Sequence, residues 1–131
     1  MMKEKAIRTK SFEFAVAVTQ CCRNLVEHKE YVLSKQLLRV GTSIGANVRE
    51  AVYANSRRDF HYRLTVSLRE CSETMFWLEL LKASGYIDIQ TFEMLYRNAH
   101  ELLRILTSIT KTTRNSSKNA SPTGDTIITN C

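Results

Sequence analysis

No proline occurs before Pro122, and only four glycines punctuate the 131 residues. A proline interrupts an interior helical turn at a cost of about 3 kcal/mol. More than a hundred residues without one, rich in Leu, Ala, Glu and Arg, therefore predict long helices and no sheet.

Hydrophobic spacing divides that stretch into four helices. The first is expected to start near Ser11, a good N-cap with Glu13 in the first turn, and to bury Phe14, Val18, Cys21, Cys22 and Leu25. The second runs from about Tyr31 to Tyr53 along the stripe Leu33, Gln36, Leu37, Val40, Ile44, Asn47, Val48 and Ala51. Gly41 and Gly45 interrupt it and allow a close helix approach or a bend. The third opens at Ser56 with Asp59 placed for a capping box. It carries a heptad-like seam of Leu64, Leu68, Cys71, Met75 and Leu78, and stops before Gly85. Asp88 caps the fourth, with Phe92, Leu95, Ala99, Leu102, Leu106 and Ile109 as its stripe. Tyr96, Leu103 and Thr110 widen that face.

Short links make consecutive helices antiparallel. The expected fold is all-α: an antiparallel up-down-up-down four-helix bundle over residues 1–113, with a disordered tail over 114–131 where Ser, Thr, Asn, Lys, Pro and Gly leave little to bury. Phe76, Trp77, Leu80 and Tyr62 fall off the core stripes and point to a subunit contact.

Lys3, Glu4, Lys5, Arg8 and Lys10 leave no apolar run for a signal peptide, and no run approaches the ~18 residues of a membrane span. The expectation is a soluble cytoplasmic protein. Four cysteines, Cys21, Cys22, Cys71 and Cys131, are read as reduced thiols and not as a disulfide framework.

Enzyme classes common on helical bundles find no support. A di-metal carboxylate site needs Glu-x-x-His, yet Leu25, Arg58 and Arg97 stand three residues before His28, His61 and His100. Cys/His zinc spacings, a phosphate loop and a serine elbow are also missing. No catalytic residue, metal or cofactor is expected.

Two sets of polar residues remain. Gln36, Arg39, Ser43, Asn47 and Glu50 share a ridge on the second helix, while Glu70 and Glu73 sit mid-way along the third. Buried charges must pair, so an Arg39–glutamate network is expected, and breaking it from one side would cost about 3–5 kcal/mol. A solvated face and a catalytic pair are the alternatives. The second set is basic, consistent with nineteen Lys and Arg against thirteen Asp and Glu. Arg97, Arg104 and Lys111 recur every seven residues along the fourth helix. Arg49, Arg57, Arg58 and Arg63 gather near the second link, with Lys3, Lys5, Arg8 and Lys10 at the N-terminus. These residues either form solvated helix faces or bind an anion such as RNA or DNA. Tyr53, Phe60 and Tyr62 near the link are candidates for base stacking, or for core or interface packing.

In the order of these features the chain resembles the bacterial four-helix-bundle family associated with intervening sequences in 23S ribosomal RNA genes. Gln36-Leu-Leu-Arg39 followed by Ser43-Ile-Gly-Ala-Asn47-Val-Arg-Glu50 carries the resemblance. So does Glu70-x-x-Glu73-Thr-x-x-Trp77-Leu-x-Leu-Leu with Gly85-Tyr86-Ile87, and the match spans roughly residues 11–113. Ala51 stands where the family often has glycine. The resemblance implies an up-down bundle assembling into a homopentameric ring. It also implies kinship with the accessory variability-determinant proteins of diversity-generating retroelements, basic pentamers that bind nucleic acid and a reverse transcriptase. The functional expectation is a non-enzymatic oligomeric bundle binding RNA or DNA. The alternative is a scaffold that recruits another protein, such as a reverse transcriptase.

Overall fold

A computed structural model describes residues 2–119. Among them the chain forms four helices and no strand: α1 (Met2–Glu27), α2 (Val32–Val52), α3 (Arg57–Ala83) and α4 (Ile89–Asn119). Contacts at matched levels show that each helix runs antiparallel to the next. Gly41 and Gly45 of α2 face Val18 and Ser11 of α1. Ser67 of α3 donates to the Ile44 carbonyl of α2 at 2.8 Å, and Cys71 of α3 donates to the Ala99 carbonyl of α4 at 3.1 Å. Lys10 of α1 meets Glu101 of α4 at 3.2 Å, closing the circuit.

The core is the union of the four stripes. Val18, Leu37, Val40, Ile44, Cys71, Leu78, Leu95, Ala99 and Leu106 are fully buried, with Leu64, Leu68, Met75 and Phe92 packed in or against the same cluster. Three helix ends follow the local chemistry expected of them. Ser56 Oγ accepts from Asp59 N at 3.0 Å, although no return bond from the Asp59 carboxylate accompanies it. Asp88 Oδ1 accepts from Thr91 N at 2.7 Å. Gly85 sits at φ 81°, and the amides of Gly85 and Tyr86 reach back to the carbonyls of Lys82 and Leu81, a Schellman ending.

Two boundaries differ from expectation. Helix α1 begins at Met2, nine residues before Ser11, and Ser11 is not a cap but a buried side chain bonded to the Arg8 carbonyl. The cause is tertiary: Ile7 is 2% exposed and extends the core stripe one turn upstream, while Lys3 bonds Ser108 of α4. Helix α4 continues past the expected limit at residue 113 to Asn119. Thr112 and Thr113 fold their hydroxyls onto the Ser108 and Thr110 carbonyls, and His61 of α3 holds Thr113 at 2.7 Å. The expected disordered tail of 114–131 is therefore helical over its first six residues, and the remainder, 120–131 with Cys131, lies outside the described residues.

Candidate nucleic-acid interface

The antiparallel arrangement gathers one set of ends: the start of α1, the close of α2, the start of α3 and the close of α4. Helix α1 brings Lys3, Lys5, Arg8 and Lys10, and α2 brings Arg49. Helix α3 brings Arg57, Arg58 and Arg63, and α4 brings Arg104, Lys111 and Arg114. Against these eleven cations stand Glu4, Glu13, Glu50, Asp59 and Glu101. In the other half Arg23, Lys29, Lys35, Arg39, Arg69, Lys82 and Arg97 are balanced one for one by Glu27, Glu30, Glu70, Glu73, Glu79, Asp88 and Glu93. Apart from Lys118 and Asp125, which offset each other, the surplus of six cations therefore belongs to one end of the bundle.

The two basic sets separated in the sequence thus largely merge. Lys111 and Arg104 are exposed on α4, and the His61–Thr113 bond carries the close of α4 to the α2–α3 link, where Arg57 is exposed and Arg58 half-buried. Arg97 is exposed and in line with Arg104 and Lys111, but it follows Glu93 by one turn and belongs to the balanced half. His61 was not singled out as a site residue by the sequence. Partial burial, and then the nearby Arg114 guanidinium, hold its imidazole below the usual histidine pKa.

A groove of about 1120 Å³ runs between α1 and α2 toward this end. Phe12, Ala15, Ala46 and Val52 line it together with Lys5, Arg8 and Arg49. Phe12 and Val52 are exposed, as are Val16 and Leu38 farther along the same helix pair.

The polar ridge forms, but not as a buried network. Arg39 Nη2 donates to Glu73 Oε2 at 3.0 Å and to Gln36 Oε1 at 3.1 Å, and the Trp77 indole donates to the same Glu73 oxygen at 3.0 Å. The Arg39 and Glu73 side chains are 55% and 43% exposed, which corrects the expectation of burial: this pair lies on the solvent edge of the α2–α3 seam. Asn47 bonds its own helix, donating to the Ser43 carbonyl at 2.9 Å and to Ser43 Oγ at 3.0 Å. Glu50 is exposed. Glu70 stays outside the network, with one buried carboxylate oxygen that accepts no hydrogen bond among the described residues. Trp77, expected off the core, packs against it, whereas Phe76 is 57% exposed and meets Trp77 edge to face.

Among the described residues no group of three or more His, Cys, Asp or Glu is disposed to hold a metal ion. No described helix is long and apolar enough to cross a membrane. Cys22 and Cys71 donate to the carbonyls of Ser34 and Ala99, and burial pushes both thiols up to about 12.

No curated protein matches the chain. Among solved structures, a protein of unknown function from the S23 ribosomal protein family of Bacteroides thetaiotaomicron VPI-5482 is 46% identical, with a TM-score of 0.82. The match covers 83% of this chain and 98% of that one. The sequence model of the 23S rRNA-intervening sequence proteins matches residues 3–108. With the bundle, the Gln36–Glu50 ridge and the Glu70–Trp77 segment all in place, the chain belongs to the 23S rRNA-intervening sequence protein family.

Proposed function

We propose that this chain is a non-enzymatic, self-assembling bundle that holds nucleic acid on its basic end. The observation that carries the proposal is the segregation of charge. Eleven cations against five acids at one end, with balance elsewhere, create a local field that attracts a polyanion far more strongly than +6 spread evenly. Contact is chiefly with phosphates, so binding is tolerant of sequence and steeply dependent on salt. Assembly multiplies one weak patch through avidity. The exposed apolar strip of α1 and α2, and Phe76 on α3, supply surfaces for assembly, and five copies is the number the family resemblance suggests. Within this proposal the protein works in the cytoplasm as an accessory to a reverse transcriptase or to an rRNA insertion.

Fluorescence anisotropy with labelled RNA and DNA, from low to physiological salt, tests the proposal. Binding that weakens with salt, and weakens on charge reversal at Arg57, Arg58 and Lys111 with the assembly intact, is expected. No binding at low salt would sink it. The second reading, a scaffold that recruits a protein without touching nucleic acid, is favoured by the α1–α2 groove and would then take its place.

A further inference from the structure

Besides charge, and apart from Phe12 in the α1–α2 groove, the basic end carries two exposed tyrosine rings beside the α2–α3 link. Tyr53, at the close of α2, is 79% exposed, and Tyr62, in the second turn of α3, is 45% exposed. Phe60 between them is different: it packs against the core. Among the described residues neither tyrosine hydroxyl forms a hydrogen bond, so neither ring is held by its polar atom. Tyr53 follows Arg49 by about one helical turn and precedes the Arg57–Arg58 pair. The Arg63 guanidinium lies 5.7 Å from the centroid of the Tyr62 ring.

We infer that this end is a single-strand site, in which Tyr53 and Tyr62 stack on unpaired bases while the surrounding arginines and lysines track the backbone. The inference rests on the nucleic-acid reading above and narrows it to one class of ligand. Phosphates alone require cations and gain nothing from exposed aromatic rings. A duplex turns its base faces inward and offers a ring only edges and sugar. An unpaired base presents a free π-face, and every base has one, so stacking adds affinity without sequence preference. The Arg63 guanidinium, planar and poorly hydrated, extends the Tyr62 platform.

The intact protein is titrated against four labelled oligomers of equal phosphate count: single-stranded DNA, single-stranded RNA, a duplex and an abasic strand. The abasic strand keeps the charge and removes the bases. Base-bearing single strands are expected to bind about tenfold or more tighter than the abasic strand, the scale of one base–aromatic stack. Tyr53→Ala and Tyr62→Ala should each erase about tenfold on single strands while leaving the abasic strand and the salt slope unchanged. Tyr→Phe at either position should retain the affinity, since the ring is the binding element. The DNA and RNA arms show which sugar is preferred. Equal affinity for abasic and base-bearing strands, or alanine variants without effect, would overturn the single-strand inference and leave phosphate binding standing. Failure of all four to bind would remove the nucleic-acid reading together with it.

Discussion

Arg39 and Glu73 meet at 3.0 Å across the α2–α3 seam with about half of each side chain still in water. That exposure sets the energy of the contact. A buried pair broken from one side costs about 3–5 kcal/mol, whereas an exposed pair is worth about 0–1 kcal/mol because water screens the charges. Arg39→Ala should therefore lower stability by no more than about 1 kcal/mol. Thermal melts of Arg39→Ala beside Arg114→Ala, an exposed control on α4, provide the comparison. A loss of several kcal/mol would mean that the seam is drier than its exposed edge implies.

Gly41 of α2 packs directly against Val18 of α1. A Cβ built there would lie 2.8 Å from Val18 Cγ1 and 3.0 Å from Cγ2, and Val18 is fully buried. Gly41→Ala gains about 1 kcal/mol of helix propensity and loses about 1–3 kcal/mol to overpacking. Net destabilisation is expected in urea unfolding. In a Val18→Ala background the two shortest contacts are removed and only the 3.3 Å approach to Cβ remains, so the same substitution should cost less or become stabilising; a strictly additive double-mutant cycle would show that the two residues do not touch.

The first turns of α1 are structural. Ile7 is 2% exposed and packed in the core, so Ile7→Ala should cost about 2–5 kcal/mol. If the helix instead began at Ser11, removal of Ile7's side chain would leave the denaturation midpoint where it was.

Cys71 gives the fold a dependence on alkaline pH. Its pKa rises from 9.0 to about 12 through burial, so the unfolded chain loses this proton first. The associated stability is complete below pH 9 and declines as pH climbs toward 12, by at most about 1.4 kcal/mol per pH unit. Replacing Cys71 with Ala removes the dependence, so the gap between native protein and variant should narrow over that window. A constant gap from pH 8 to 11 would contradict it. Native Cys22 and Cys71 should also resist alkylation until the protein unfolds, since the reactive form is the thiolate.

Much of this architecture is visible in spacing alone. Steps of three and four through Leu64, Cys71 and Leu78, or through Leu95, Ala99 and Leu102, require no partner to be recognised. Ser56, Gly85 and Asp88 mark ends by chemistry local to each. Ile7 does not stand out in the sequence because its neighbours are charged and Ser11 is a plausible cap, while its burial comes from core residues distant along the chain. The polar ridge could be traced by spacing, but the side of the seam on which Arg39 lies depends on how α2 and α3 are rotated against each other. The unity of the basic end is hidden for a related reason: it depends on which side of α4 packs against α3, where Thr113 bonds His61, and on Arg114, which lies one residue past the expected end of the bundle.

A molecule whose charge sits at one end feels a torque as well as a pull. Near any polyanion it turns until the α2–α3 link leads and the α1–α2 and α3–α4 links trail. Orientation is then settled before contact, by a field reaching about one Debye length, some 8 Å at physiological salt. The trailing half, with its seven charges of each sign, is left facing outward and neutral. With a polyanion held at the basic end, as proposed, that face would stay open to a second encounter.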